Sequence, residues 1–562
     1  MKMNSTKVNW DSTNIGENYP GVTLPLTFSF IKDAYANVYE NYVKLIGVRK
    51  ELIENNRNIM RNMLGYVKGH VFYNIDNWYK FLTFMPGYNY NKKFFEAMLD
   101  PAEKKKQEDD TLQINLNRID SLKILIKFVY LLFSFGSLHN KFEKEFRKLF
   151  QKYTNYTLSN LDNFTLTAFF EYLQDNFFSI WSITIVNDFR VMIYFGLLNK
   201  FTERFKEEKE DILRDIYSAK KQPESITLIN RIIDLAYKIK KEERLIHLFK
   251  KDEQEILKLL NDSGYGTIKK YIEIYLKEFG ERSSNELKLE EPKFKEKPEL
   301  FISLIKNYVF KSSGELRSLK KINTNKASWY RPKTGSLINK YILKILKNIT
   351  IEGIYQREYY RIKRGKAFNI AREIFLEMGK RMVYTNDLND MNDVFYLYKH
   401  ELIDYFNYHA LKNDFRSVIK YRKSLIDRYK SESVPRRITT EGLPGREKVI
   451  DKRYKTTQIL EGQGTSKGKV KGKTIVMETL NFNNNYTDKI LITRATDPGW
   501  TVIFPLLKGV ITEQGGLLSH ASIIARELGI PCIVKVPDAT KLIKSGQQIE
   551  MDGVKGNVRI TN

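Results

Sequence analysis

The sequence has one cysteine, Cys532, and six histidines in 562 residues. A single cysteine excludes an internal disulfide and any zinc site built on cysteine alone, and it fits a reducing compartment. Prolines number only 14, and uninterrupted apolar runs are short. Residues 128–135 and 191–198 are among the longest, well below the about 18 residues of a membrane span. The start, Met1 to Trp10, is polar and lacks the apolar core of a secretory signal. The expectation is a cytoplasmic protein with no membrane span. Acids are outnumbered, 67 against 94 basic residues, for a net charge of +27. A surplus of this size invites anionic partners. The lysines, however, are spread along the chain beside acids, as in Glu207-Glu208-Lys209-Glu210, the pattern of solvated helix faces. Nucleic acid is not expected as a partner. With 42% hydrophobic and 13% aromatic residues there is enough apolar material for a core, which excludes disorder as the main state. At roughly 100–200 residues per domain, the length holds about three to five domains.

The chain changes character near residue 455. Twelve of the 30 glycines lie beyond that position. Before it, apolar residues recur at helical spacing, as in Ile119-Ile124-Ile126-Val129-Leu132 and Ile226-Ile229-Ile232-Ile233-Ala236. The pattern predicts long helices over about 25–430, interrupted by charged linkers near Asp100–Asp110 and Glu281–Lys297. Residues 431–456 are polar, hold Pro435 and Pro444, and read as a linker. Beyond it, 473–477, 489–493, 509–512, 532–536, 548–551 and 557–560 are short apolar runs bounded by turn residues, which predicts strands. One helix is expected at about Ala521–Leu528, stopped by Gly529 and Pro531. The expected fold is multidomain: a large mainly α-helical domain over 1–430, in one or two subdomains, and a β-rich α/β domain over 457–562.

The segment Thr512-Glu513-Gln514-Gly515-Gly516-Leu517-Leu518-Ser519-His520-Ala521-Ser522 carries the chemistry. A strand ends at Thr512, two glycines permit a tight turn and close backbone approach, Ser519 stands in N-cap position, and His520 opens the helix. A histidine there has ring nitrogens exposed beside a positive dipole end, a setting that suits a covalently held phosphoryl group and disfavours imidazolium. The other histidines, His70, His139, His247, His400 and His409, show no metal-ligand spacing, and no metal site is expected. Gly468-Lys469-Val470-Lys471-Gly472-Lys473-Thr474 is one residue short of a phosphate loop and runs into a strand, which excludes that role.

The stretch Thr512–Val534, with Leu491–Trp500 upstream and Ser545–Gly556 downstream, resembles the phosphohistidine domain of the PEP-utilising enzymes. The resemblance covers essentially all of 457–562. It implies a swivelling domain in which His520 carries a phosphoryl group, with Thr512, Gly515, Gly516, Ser519 and Arg526 supporting the phosphate loop. One departure is Lys467, where the family has Pro. The ends of the helical part resemble the substrate domain of rifampicin phosphotransferase-like proteins, at Trp10–Glu17 with Pro20-Gly21 and Pro25–Thr27, and at Arg357-Glu358, Arg364, Arg372, Glu377–Arg381 and Asp393–Leu397. That resemblance makes Glu17, Arg357, Glu358 and Arg364 substrate-domain candidates. Arg357, Arg361 and Arg364 suit a phosphate, or equally pair with Glu358.

The resemblance implies a phosphotransferase component. No ATP-grasp segment and no PEP-binding barrel is legible in the chain, so no cofactor is expected on it directly. ATP and magnesium are expected through an ATP-grasp partner protein, and the group is expected to pass to a small-molecule acceptor held by the helical domain. The alternative is a non-catalytic phosphocarrier or regulatory protein that keeps a phosphorylatable histidine.

Overall fold

The computed structural model describes residues 7–85, 116–209, 212, 224–312, 314–317, 334–409, 414–432, 434–441, 447–448, 459–517 and 519–561. The expected linker at Asp100–Asp110 lies outside them, as does most of 442–456. The chain forms two compact units. One takes Met1–Arg190, Lys288–Glu290 and Ala367–Arg453; the other takes Val191–Leu287, Glu291–Lys366 and Tyr454–Asn562. Residues 457–562 therefore share a unit with two helical stretches. The molecule is mainly helical, with a strand-rich C-terminal part, as the periodicity predicts.

In the first unit, β1 (Lys7–Asp11), β2 (Leu64–Val67), β3 (His70–Asn74), β4 (Arg437–Glu441) and β5 (Glu447–Lys448) form an antiparallel sheet in the order β2-β3-β1-β4-β5. β4 falls inside the stretch expected to be a linker. It runs against β1 from Lys7↔Glu441 to Asp11↔Arg437, with Ile438 buried and Trp10 Nε1 donating to Thr440 Oγ1 at 2.9 Å. Its polar composition hid a strand that is held by backbone pairing rather than by an apolar face. Gly65 lies beneath Trp10, where a Cβ would stand 2.3 Å from the indole ring.

The helix Pro25–Leu45 begins with Pro at its first position, where no N–H is lost. Glu290 Oε1 accepts from Leu24 N at 2.9 Å just before it. Leu26, Phe30, Ile31 and Ala34 recur at helical spacing and are buried. Phe30 packs on Phe170 and Phe178 of the helix Asn163–Ile180, and on Phe368 and Phe375 of the helix Leu337–Tyr384. Counting uninterrupted apolar runs underestimates one segment. Asn163–Phe205 contains an 18-residue helical window apolar enough to cross a membrane by length and composition, and 44% of that window is buried. Polar residues such as Asn187 and Arg190 break the run in sequence, yet both are buried.

The stretch Glu281–Lys297 is a second departure. It is not a solvated linker, since Ser283, Asn285, Glu286, Lys288 and Lys293 are all buried. Its polar groups find partners: Arg282 with Glu286, Ser284 with Glu291, and Lys288 Nζ with Val22 O at 2.8 Å. A charge run reads as surface only while its partners are unknown.

In the second unit, β6 (Ile459–Glu461), β7 (Gln463–Ser466), β8 (Lys469–Val476), β9 (Ile490–Thr493), β10 (Gly509–Thr512), β11 (Cys532–Val534), β12 (Gln548–Asp552) and β13 (Asn557–Ile560) form one sheet in the order β6-β13-β12-β8-β9-β10-β11-β7. Its centre, β8 to β11, is parallel. The helix His520–Glu527 makes the crossover from β10 to β11 and lays Ala521, Ile524, Ala525 and Leu528 in the core. It ends as predicted. Gly529 sits at φ 66°, and Ile530 N returns to Ala525 O at 2.8 Å, the usual glycine closure of a helix. The sheet's apolar core is continuous with that of the helices Glu224–Lys240 and Pro298–Val309. Ser303 Oγ donates to Phe482 O at 3.0 Å, Tyr308 donates to Val502 O, and Tyr275 stacks on Phe301 at 4.1 Å.

Candidate functional site

The turn before His520 is built by backbone constraint. Thr512 Oγ1, at the end of β10, donates to Gln514 O at 2.6 Å and closes the turn. Gly515 then adopts φ 107°, a conformation that side chains rarely reach. Gly516 needs no such freedom, since a Cβ there would meet open space. Arg526 reaches back from the helix, with Nε donating to Thr465 O at 2.6 Å and Nη2 to Leu517 O at 2.5 Å. It braces the loop through carbonyls, so its place is structural support. Ser519 occupies the N-cap position but makes no side-chain cap, because its hydroxyl bonds Ser522 Oγ at 3.1 Å, and Ser522 in turn donates to Gly516 O at 2.7 Å.

A short 3-10 segment, Pro498–Leu506, forms the opposite wall. Asp497 caps it, with Oδ1 accepting from Gly499 N at 2.6 Å. Gly499 through Leu506 are all buried, which requires cover on both sides. Part of that cover is the 281–297 stretch: a Cβ on Gly499 would stand 2.6 Å from Ser283 O. The long helix Leu337–Tyr384 presents Glu358, Arg361 and Gly365, at spacings of three and four, toward the same place. A Cβ on Gly365 would stand 2.8 Å from Glu286 Oε2.

His520 lies between these walls and is 1% exposed. The helix start alone suggested exposed ring nitrogens; instead both are engaged. Nδ1 shares a hydrogen bond with Thr496 Oγ1 at 3.2 Å and Nε2 with Thr501 Oγ1 at 3.1 Å. A hydroxyl can donate or accept, so the pair satisfies either tautomer of a neutral ring. Burial holds the imidazole well below its ordinary pKa, and the charges of Arg361 and Arg282 add to this. The ring is therefore neutral and nucleophilic at neutral pH.

Two guanidinium groups, Arg361 and Arg282, act on the histidine, and each has a carboxylate partner. Arg282 pairs with Glu286, and Arg361 lies 3.7 Å from Glu358. Burial first, and Glu286 next, push the Asp497 carboxyl up to about 8. Burial, then Glu358, push Glu527 up to about 8. Of the sequence-selected residues, Thr512, Gly515, Gly516, Ser519, His520 and Arg526 form one loop, and Glu358 joins the surrounding cluster. Arg357 is exposed on the long helix, Arg364 is half-buried further along it, and Glu17 belongs to the other unit, in the turn Ile15–Glu17. Sequence reasoning missed Thr496, Thr501, Asp497 and Arg282. The first three lie in or beside the Leu491–Trp500 motif, which marked the place without assigning roles. Among the described residues, no three His, Cys, Asp or Glu side chains gather as a metal-binding group.

Residues 486–556 match the family model "PEP-utilising enzyme, mobile domain", and residues 185–328 match "Rifampicin phosphotransferase fourth domain". Rifampicin phosphotransferase of Bacillus cereus is 29% identical over 323 residues, 55% of this chain and 36% of that protein. The Bacillus subtilis protein of the same name is 27% identical over 327 residues, again 55% and 36%, and that of Streptomyces sviceus is 28% identical over 208 residues, 36% and 23%. The chain thus spans little more than a third of the length of the first two relatives. The chain is similar to the PEP-utilising enzymes, and His520 lies within residues 486–556, which match the model of their mobile domain.

Proposed function

We propose that the chain is a phosphotransferase component in which His520 accepts a phosphoryl or pyrophosphoryl group from ATP on an ATP-grasp partner and passes it to a small-molecule acceptor held by helical residues within 1–430. The observation that carries this reading is a neutral, nucleophilic imidazole at a helix N-terminus behind a glycine turn, inside the segment that matches the mobile domain. Two guanidinium groups, Arg282 and Arg361, stand where negative charge would arrive. Magnesium would come with ATP on the partner. Glu358 is the better-placed of the two candidate bases, because Glu17 belongs to the other unit. A cytoplasmic setting fits the single, buried Cys532.

The sealed ring imposes a condition. A histidine 1% exposed meets no ATP, so in this reading residues 459–561 leave the helices of their own unit during the cycle and Thr501, which travels with them, turns aside from Nε2. The second reading is a phosphocarrier or regulatory protein that passes its group to no acceptor of its own. The test incubates the chain with an ATP-grasp protein from the same organism and ATP labelled in turn at the β and γ phosphates, and then adds candidate acceptors. Label that reaches His520 and then an acceptor supports the enzyme. Label that stops at His520 supports the carrier.

A further inference from the structure

Asp497 caps the 3-10 segment opposite His520, and Glu527 ends the helix that His520 opens. Each belongs to 459–561, and each has one oxygen that is sealed from solvent and bonded to no described residue: Oδ2 of Asp497 and Oε2 of Glu527. Each faces a carboxylate of the helical part. Asp497 lies in the field of Glu286, then of Arg361, which opposes it, and then of Glu291, and Glu527 lies in that of Glu358. None of the contacts shown for the local cations is to either oxygen: Arg282 binds Glu286, Arg361 lies beside Glu358, and Arg526 donates through Nε and Nη2 to the carbonyls of Thr465 and Leu517. Two buried carboxylates that face further carboxylates, each with an oxygen lacking a donor, would be strongly disfavoured.

We propose that the closed arrangement over His520 is a protonated one, in which Asp497 and Glu527 each take a proton from solvent as residues 459–561 seat on the helices and each return it on opening. The inference rests on the reading that 459–561 leave those helices, and it adds what controls the step. The raised carboxyl values, about 8 for each group, agree with it. The sign follows from linkage. An exposed carboxyl titrates near 4, so between about pH 4 and 8 the closed form holds two protons that the open form lacks. His520 acts in the opposite sense below about pH 6.5, where the open form protonates the ring and the closed form excludes the charge. Opening is therefore promoted about 30-fold per pH unit around pH 7, less steeply as the carboxyls titrate near pH 8, and about tenfold per unit below about pH 5.5.

The test uses the full chain alone and reads the accessibility of His520. Diethylpyrocarbonate acylates neutral imidazole, and peptide mapping gives the rate at His520, corrected by the profile of free N-acetylhistidine. The expected rate rises more than tenfold between pH 6.5 and 8. Asp497→Asn and Glu527→Gln mimic the protonated groups, and Asn keeps the cap on Gly499. Each single variant should remove about half of the logarithmic slope, and the double variant should stay slow and flat. A wild-type rate that does not change with pH, or a double variant that keeps the wild-type slope, overturns the proposal. The assay contains neither ATP nor a partner. A chain that carries no phosphate can therefore still pass it, and one that does carry phosphate can still fail it.

Discussion

Thr501 Oγ1 stands 3.1 Å from Nε2 of His520, so a hydroxyl fills the position that a phosphorus atom would have to take for reaction at that nitrogen. Thr496 holds the other nitrogen, so both nitrogens of the buried ring are engaged. Thr501→Val removes one partner of a sealed ring nitrogen while keeping the side-chain shape. The expected cost is about 1–3 kcal/mol, the penalty for orphaning a buried polar group. Thr501→Ser should recover most of it. Denaturant midpoints of the three proteins check this, and equal midpoints for Val and Ser would show that the bond contributes nothing.

The two glycines of the turn should behave differently. Gly515 is at φ 107°. Gly515→Ala therefore forces a strained backbone and should cost about 1–3 kcal/mol. A Cβ at Gly516 meets open space. Gly516→Ala should accordingly leave the stability unchanged to within about 0.5 kcal/mol. The same denaturation experiment reads both. Any loss of labelling in Gly516→Ala would then report the incoming phosphate rather than the fold.

Arg526 joins β7 to the turn, through Thr465 O and Leu517 O. Arg526→Lys cannot make both contacts in the same fork geometry. It should raise amide exchange in the turn at 515–519 and along β7, while β12 and β13 keep their protection. Unchanged exchange in the turn would mean that the brace is dispensable.

Much of the C-terminal part was legible because glycines mark its turns. The strands 509–512 and 557–560 lie where the apolar runs put them, and Gly529 with Pro531 marked the helix end. β6 and β7 were missed. They are three and four residues long, hold or flank Gly462 and Gly464, and pair with strands distant in sequence. The histidine was legible as a residue but its environment was not. Thr496 and Thr501 matter only because the 3-10 segment folds back onto the helix start. Arg282 sits in a charge run with no periodicity, and its role appears only when Gly365 and Gly499 let that run pass close by. β4 shows the same limit in the first unit, where Arg-Ile-Thr-Thr-Glu has almost no apolar signal and its pairing with β1 defines it.

The most direct measurement of the central claim is to map the label after incubation of the chain with an ATP-grasp partner and labelled ATP. The account predicts an acid-labile, base-stable label on His520, absent from His520→Asn, whose side chain has similar reach but no nucleophilic nitrogen. An acid-stable label on Ser519 or Ser522, or full labelling of the His520→Asn protein, would contradict it.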